Sequence, residues 1–271
     1  MSSRNQAALK YLRSKFGTSR LVWSFTLCLL LSIPGCDDLP SKTTVTKPSE
    51  QKSEVAAALK PALTRSKTWD AALGSVIEGK SPRLHIDDGS IQDEDLAELP
   101  KLAEGQLLDL LIDQGQVSDE GMLLIGKLKG LEHLRIRLSP ITDEGLANLV
   151  AGSSNESLRI LNLPQAEITA KGIELLEALP NLIQLRLSGK RLDDAAMTAL
   201  AGLPNLKMLH LIAPAISANG LANLAEAPKL TSLYIDDCDV SDEGWVKLFE
   251  AKPGLHVHID QLHHDRDPHK H

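Results

Sequence analysis

Apolar residues recur between positions 81 and 260 in a pattern that joins two periods within one short unit. In residues 131–149, LEHLRIRLSPITDEGLANL, Leu131, Leu134 and Ile136 stand in an L-x-x-L-x-L frame. Leu134 and Ile136 alternate with polar neighbours as a half-buried strand does. Ile141 follows five residues later, and Leu146 and Leu149, three apart, suit one face of a helix. The predicted unit is strand, turn, helix. Thr142 is placed to cap the helix with its hydroxyl, and Asp143 and Glu144 put negative charge in the first turn, where the backbone dipole favours it.

The frame recurs from Leu107 with VSDEG, Leu158 with ITAKG, Leu182 with LDDAA, Leu206 with ISANG and Leu230 with VSDEG, and a shorter first copy holds Leu84 and Ile86 before IQDED. From Leu107 onward the starts are 24, 27, 24, 24 and 24 residues apart, the longer step coinciding with small polar residues at 152–155. One further step of 24 from Leu233 and Ile235 reaches Val257 and Ile259, an eighth strand. So regular a period predicts a solenoid. Each unit buries about six apolar side chains at roughly 1.5–3 kcal/mol apiece before entropy is set against them, so none stands alone. Stacked units make a continuous Leu, Ile, Val and Ala core, which accounts for an aromatic content of only 3%. Pro100, Pro180, Pro204, Pro228 and Pro253 are placed to end each helix.

This spacing resembles the leucine-rich repeat family, and the ITDEGL helix start is most similar to its cysteine-containing and bacterial subclasses. The resemblance covers about two-thirds of the chain and implies an α/β solenoid. That solenoid would be a right-handed arc with parallel strands on the concave face and helices on the convex one. In the family a position three residues after the last strand leucine usually holds Asn or Cys, which satisfies turn backbone groups. Here it holds Gly89, Gly115, Ser139, Ala166, Lys190, Pro214 and Cys238, and only Cys238 fits, so a weak or missing polar ladder is expected.

The resemblance also implies that side chains between the strand leucines face the concave, binding side. The middle column reads His85, Leu111, Arg135, Asn162, Arg186, His210, Tyr234 and His258, and its neighbour includes Asp113, Arg137, Ile212, Asp236 and Asp260. Mixed charge, a tyrosine, and Met208 and Ile212, read as exposed, fit a protein-binding face. The partner-binding candidates are Arg135, Arg137, Arg186, His210, Tyr234 and Asp236.

The chain before the repeats differs. Residues 1–20 carry five basic residues and no acid, and residues 21–33 form a largely apolar run, too short to span a bilayer, for which about 20 residues are needed. The run ends in IPGC, which resembles a bacterial lipoprotein signal, with Pro34 in place of the commoner Ala or Ser. That resemblance implies acylation of Cys36 and a protein lipid-anchored in the bacterial cell envelope, facing the periplasm or exterior. The expected organisation is a signal peptide over 1–35, a disordered tether over 36–54, an N-terminal capping helix around Trp69 over 55–80, repeats over 81–260 and a His-rich flexible tail over 261–271.

The formal charge is −7; without residues 1–35 it is −12, from 24 basic and 36 acidic residues, a poor match to nucleic acid. No phosphate loop, nucleophile elbow or H-E-x-x-H motif is present, and the recurring Asp-Glu pairs belong to helix starts, so no catalytic residue and no cofactor is expected. His256, His258, Asp236 and Asp260 form a weaker candidate metal set near the last strand, followed by His263, His264, His269 and His271. The sequence is therefore read as a noncatalytic, membrane-anchored interaction module for an envelope protein or another extracytoplasmic ligand. Two alternatives remain: a metal-binding protein or metal-dependent enzyme using the carboxyl end, and an adaptor like the F-box leucine-rich repeat proteins, though no F-box helices precede these repeats.

Overall fold

The computed structural model describes residues 67–268; the signal segment, Cys36, the tether and the expected start of the capping helix lie outside them. Helix α1, Lys67–Ile77, comes first and buries Trp69, Leu73 and Val76, as a cap requires. A parallel sheet follows, built from β1 (Arg83–Ile86), β3 (Asp109–Ile112), β5 (His133–Ile136), β6 (Ile160–Leu163), β7 (Gln184–Ser188), β8 (Met208–Ile212), β9 (Ser232–Asp236) and β10 (His256–Ile259), adjacent in chain order. Short strands β2 (Ile91–Gln92) and β4 (Gly115–Gln116) pair separately. These eight parallel strands are the eight that the L-x-L frame predicts.

Register follows the repeat. Leu84, Leu110, Leu134, Leu161, Leu185, Leu209, Leu233 and Val257 are successive partners, and all are completely buried. Opposite them in the core lie the helices: α2 (Asp119–Gly126), α3 (Asp143–Val150), α4 (Ala170–Leu175), α5 (Asp194–Ala201), α6 (Ala218–Asn223) and α7 (Asp242–Ala251). The first repeat has a 3-10 helix, Asp93–Lys101, with Pro100 inside it rather than after it. The extra polar residues of the long repeat form another 3-10 turn, Ser153–Glu156.

The helix starts interlock from one repeat to the next. Ser118, Thr142, Thr169 and Ser217 cap their own helices by accepting from a backbone N–H of the first turn. Each hydroxyl also donates, at 2.5–2.6 Å, to a carboxylate of the preceding repeat: Asp93, Asp119, Asp143 and Asp194 respectively. The other oxygen of that carboxylate accepts from the cap's backbone N–H at 2.7–2.9 Å. Gly121, Gly145, Gly172 and Gly220 lie against the same carboxylates, where an added Cβ would collide with Oδ1. Two steps lack it: at the last, Ala218 brings no carboxylate, Ser241 makes no side-chain cap bond and Gly244 lies against Ala218, while the other also changes the glycine. Ala170 brings no carboxylate, the next cap is Asp193, which accepts from Ala196 N at 3.0 Å, and the glycine position is Ala196. This aspartate ladder takes over the role of the Asn or Cys ladder. At the latter's positions Ser139 donates to Gly115 O at 3.2 Å and Cys238 is half-buried.

The carboxyl end departs from expectation. Residues 261–268 are not a flexible tail: β11 (Leu262–His263) adds an antiparallel ninth strand. Asp260 and Gln261 both take left-handed backbone (φ 50° and 68°), making the two-residue turn that reverses the chain. His264 then packs on Trp245 and Phe249, with ring centroids 4.9 and 5.1 Å away.

Candidate functional site

The outward face of the sheet carries the varied residues. His85, Leu111, Arg135, Asn162, Arg186, His210, Tyr234 and His258 are successive strand partners, so the middle column is continuous. Leu111 is nonetheless buried, and Met208 and Ile212 are half-buried, not exposed. Near the first strands the polar side chains pair with one another. Asp113 receives His85 Nε2 at 2.9 Å and Arg135 at 2.5 Å. Asp109 lies 3.2 Å from Arg83 Nε and 3.4 Å from His133 Nδ1. Further along, Asp236 holds His210 Nε2 at 2.8 Å, and Tyr234 stacks on His258 with centroids 4.8 Å apart.

These surroundings set the charges. Burial pushes the Asp113 carboxyl up, but hydrogen bonds and charges from His85 and Arg135 outweigh it and hold the group below the ordinary carboxylate value. Burial holds the His133 imidazole below its ordinary value, with Asp109 opposing. The Cys238 thiol is raised to about 11 by burial and by Asp239 and Asp260, so it is a poor nucleophile. The stability that Asp113 contributes is present above the ordinary carboxylate range and lost as pH falls through the lowered value. In an Arg135→Met variant the Asp113 carboxyl titrates higher by NMR, so that contribution is lost at a higher pH. An unshifted titration would show that the pair is inert.

Arg137, beside this cluster, is exposed. The next residue, Leu138, is 58% exposed and has φ 55°. Left-handed backbone recurs once per repeat after most strands, at Gly89, Gln165, Gly189, Ala213 and Asp237, but only here does it display a large apolar side chain. The sequence pattern places Leu138 in a turn, and nothing in it marks the residue as displayed. An open groove of about 500 Å³ lies elsewhere, at the strand starts, lined by Arg159, Lys207 and Lys229 with Glu132.

The metal candidates divide. Asp236 is committed to His210, and Asp260 Oδ1 accepts from Asp237 N at 2.8 Å. His256 and His258 instead meet His263, which the hairpin brings opposite His258.

With strands, turns and helices in register, the model of the family described as "Leucine Rich repeat" matches residues 130–150 and 226–249. The fold is a leucine-rich repeat solenoid. Among solved structures it is similar to the crystal structure of the Rad7 and Elc1 complex in yeast, at 19% identity and a TM-score of 0.44, over 65% of this chain and 55% of that one. This chain thus spans about half the length of that neighbour. No curated protein matches. Within the leucine-rich repeat frame the two kinds of position separate: apolar, Asp and Gly positions build the solenoid, and the outward columns vary. Among the described residues no helix is long and apolar enough to cross a membrane.

Proposed function

We propose that this protein is a noncatalytic interaction module, anchored to a bacterial membrane through lipidated Cys36, that captures an envelope protein on the outward face of its strands. The observation that carries the reading is Leu138. An exposed leucine in left-handed backbone carries a strain of about 1 kcal/mol that asparagine or glycine would relieve. It follows Arg137 directly and lies three residues beyond Arg135, so an exposed apolar side chain stands next to arginines, a residue type enriched at interface hot spots. A residue that serves the partner and not the fold gives opposite signs in two assays. Leu138→Asn keeps or raises the melting temperature while reducing capture of the partner from cross-linked envelopes; Arg135→Glu, Arg186→Glu and Tyr234→Ala combined also reduce capture. Equal capture by all variants would sink the face assignment. The anchor is tested separately: radioactive palmitate labels the wild type and not Cys36→Ser, and an unlabelled wild type would remove the envelope reading.

A further inference from the structure

The last two strands assemble a cluster that the interaction reading does not use. His256, His258 and His263 each offer a ring nitrogen, and these atoms all lie within 4.8 Å of one another. His256 Nε2 and His258 Nε2 are 2.9 Å apart. His263 is the cross-strand partner of His258, so the Asp260–Gln261 turn sets their approach. Below them the Asp267 side chain is fully buried. Its Oδ2 accepts from Val257 N at 3.1 Å, and lies 2.9 Å from His256 Nδ1 and 3.1 Å from His263 Nδ1.

One carboxylate oxygen is therefore hydrogen-bonded to His263 Nδ1 and lies within ion-pair distance of His256 Nδ1. An imidazole that donates from Nδ1 carries its lone pair on Nε2, on the other side of the ring, and this is how carboxylates orient metal-binding histidines. The Nε2 atoms of His256 and His258 already converge. At that distance one Nε2–H donates to the other ring's lone pair, and a cation that takes the place of the shared proton meets a lone pair from each ring. Tyr234, stacked on His258, walls one side of the cluster.

We propose that His256, His258 and His263 bind one divalent transition-metal ion of the zinc class, with Asp267 positioning two of the three rings. Three imidazoles without a thiolate suit zinc(II), with copper(II) and nickel(II) as chemical competitors, and leave a further coordination position open. The site stands independently of the partner-binding reading.

Calorimetry with zinc(II) alone on the chelator-treated full chain gives one equivalent bound, and cobalt(II) gives the intense visible absorption of a low-coordinate nitrogen site. His258→Ala and His263→Ala each abolish the cobalt spectrum, while Asp267→Asn weakens affinity by about ten- to a hundred-fold, the usual effect of losing such a carboxylate. Because Asp267 is buried, its variant is first checked for an unchanged circular dichroism spectrum, and the two half-buried histidine variants carry the test if it misfolds. His269→Ala with His271→Ala keeps the full affinity. No heat with zinc, or binding that survives His258→Ala but is lost with His269 and His271, would overturn the proposal.

Discussion

Gly172→Ala lowers the stability of the solenoid by about 2–3 kcal/mol, although alanine is ordinarily the better helix residue by up to ~1 kcal/mol. An added Cβ would run into Asp143 Oδ1 and come within 2.9 Å of its Cγ. That carboxylate cannot simply swing aside, because it accepts from Thr169 N at 2.8 Å and from the Thr169 hydroxyl at 2.6 Å. Moving it breaks two charge-assisted hydrogen bonds between repeats, each worth roughly 1.5–3 kcal/mol, which outweighs the gain in helix propensity. A melting temperature lower by roughly 5–10 °C is the expected reading. The chain supplies its own control, since Ala170 and Ala196 coexist one repeat further on. Asp143→Ala with Gly172→Ala should therefore cost less than the two single changes added together. An unchanged melting temperature in Gly172→Ala would refute the ladder as a stabilising device.

That ladder marks how far the sequence could be read. Strand and helix positions were legible because burial imposes two incompatible periods, and Leu134 and Ile136 cannot be confused with Leu146 and Leu149. Thr142 was legible as a cap because capping is local. Asp143 was read as a charge favouring its own helix; its stronger role, holding Thr169 of the next repeat, joins residues 26 apart and shows only when repeats are stacked. The recurrence of Asp two residues before Gly was the available signal.

The histidine cluster failed for a different reason. Asp260–Gln261 lacks the glycine or asparagine that usually announces a two-residue hairpin, so the chain beyond it read as a tail. Without the turn, His263 has no place beside His258, and Asp236 and Asp260 looked like the nearer ligands. Arg135, Arg186, His210 and Tyr234 fell on the predicted column because a parallel register one repeat apart preserves it. Leu138 escaped because exposure of one turn leucine is not a periodic property.

Trp69→Ala carries the largest expected loss, about 3–5 kcal/mol, the usual range for removing a fully buried aromatic side chain. Its position makes the loss directional. A solenoid's stability is approximately a sum over repeats and their nearest-neighbour interfaces, so damage at one end is first felt there. Helix α1 covers this end with Trp69, Leu73 and Val76, beside β1, whose Leu84 and Ile86 have no preceding repeat among the described residues. Without the indole, amide exchange should accelerate first over residues 67–112 and last across β7 to β9, whereas Gly172→Ala should open the middle. Trp69→Phe, which keeps a ring but less volume, falls between. Exchange that rises uniformly along the chain would mean that the protein unfolds as a single cooperative block, and the cap would then be ordinary core and not the guard of one end.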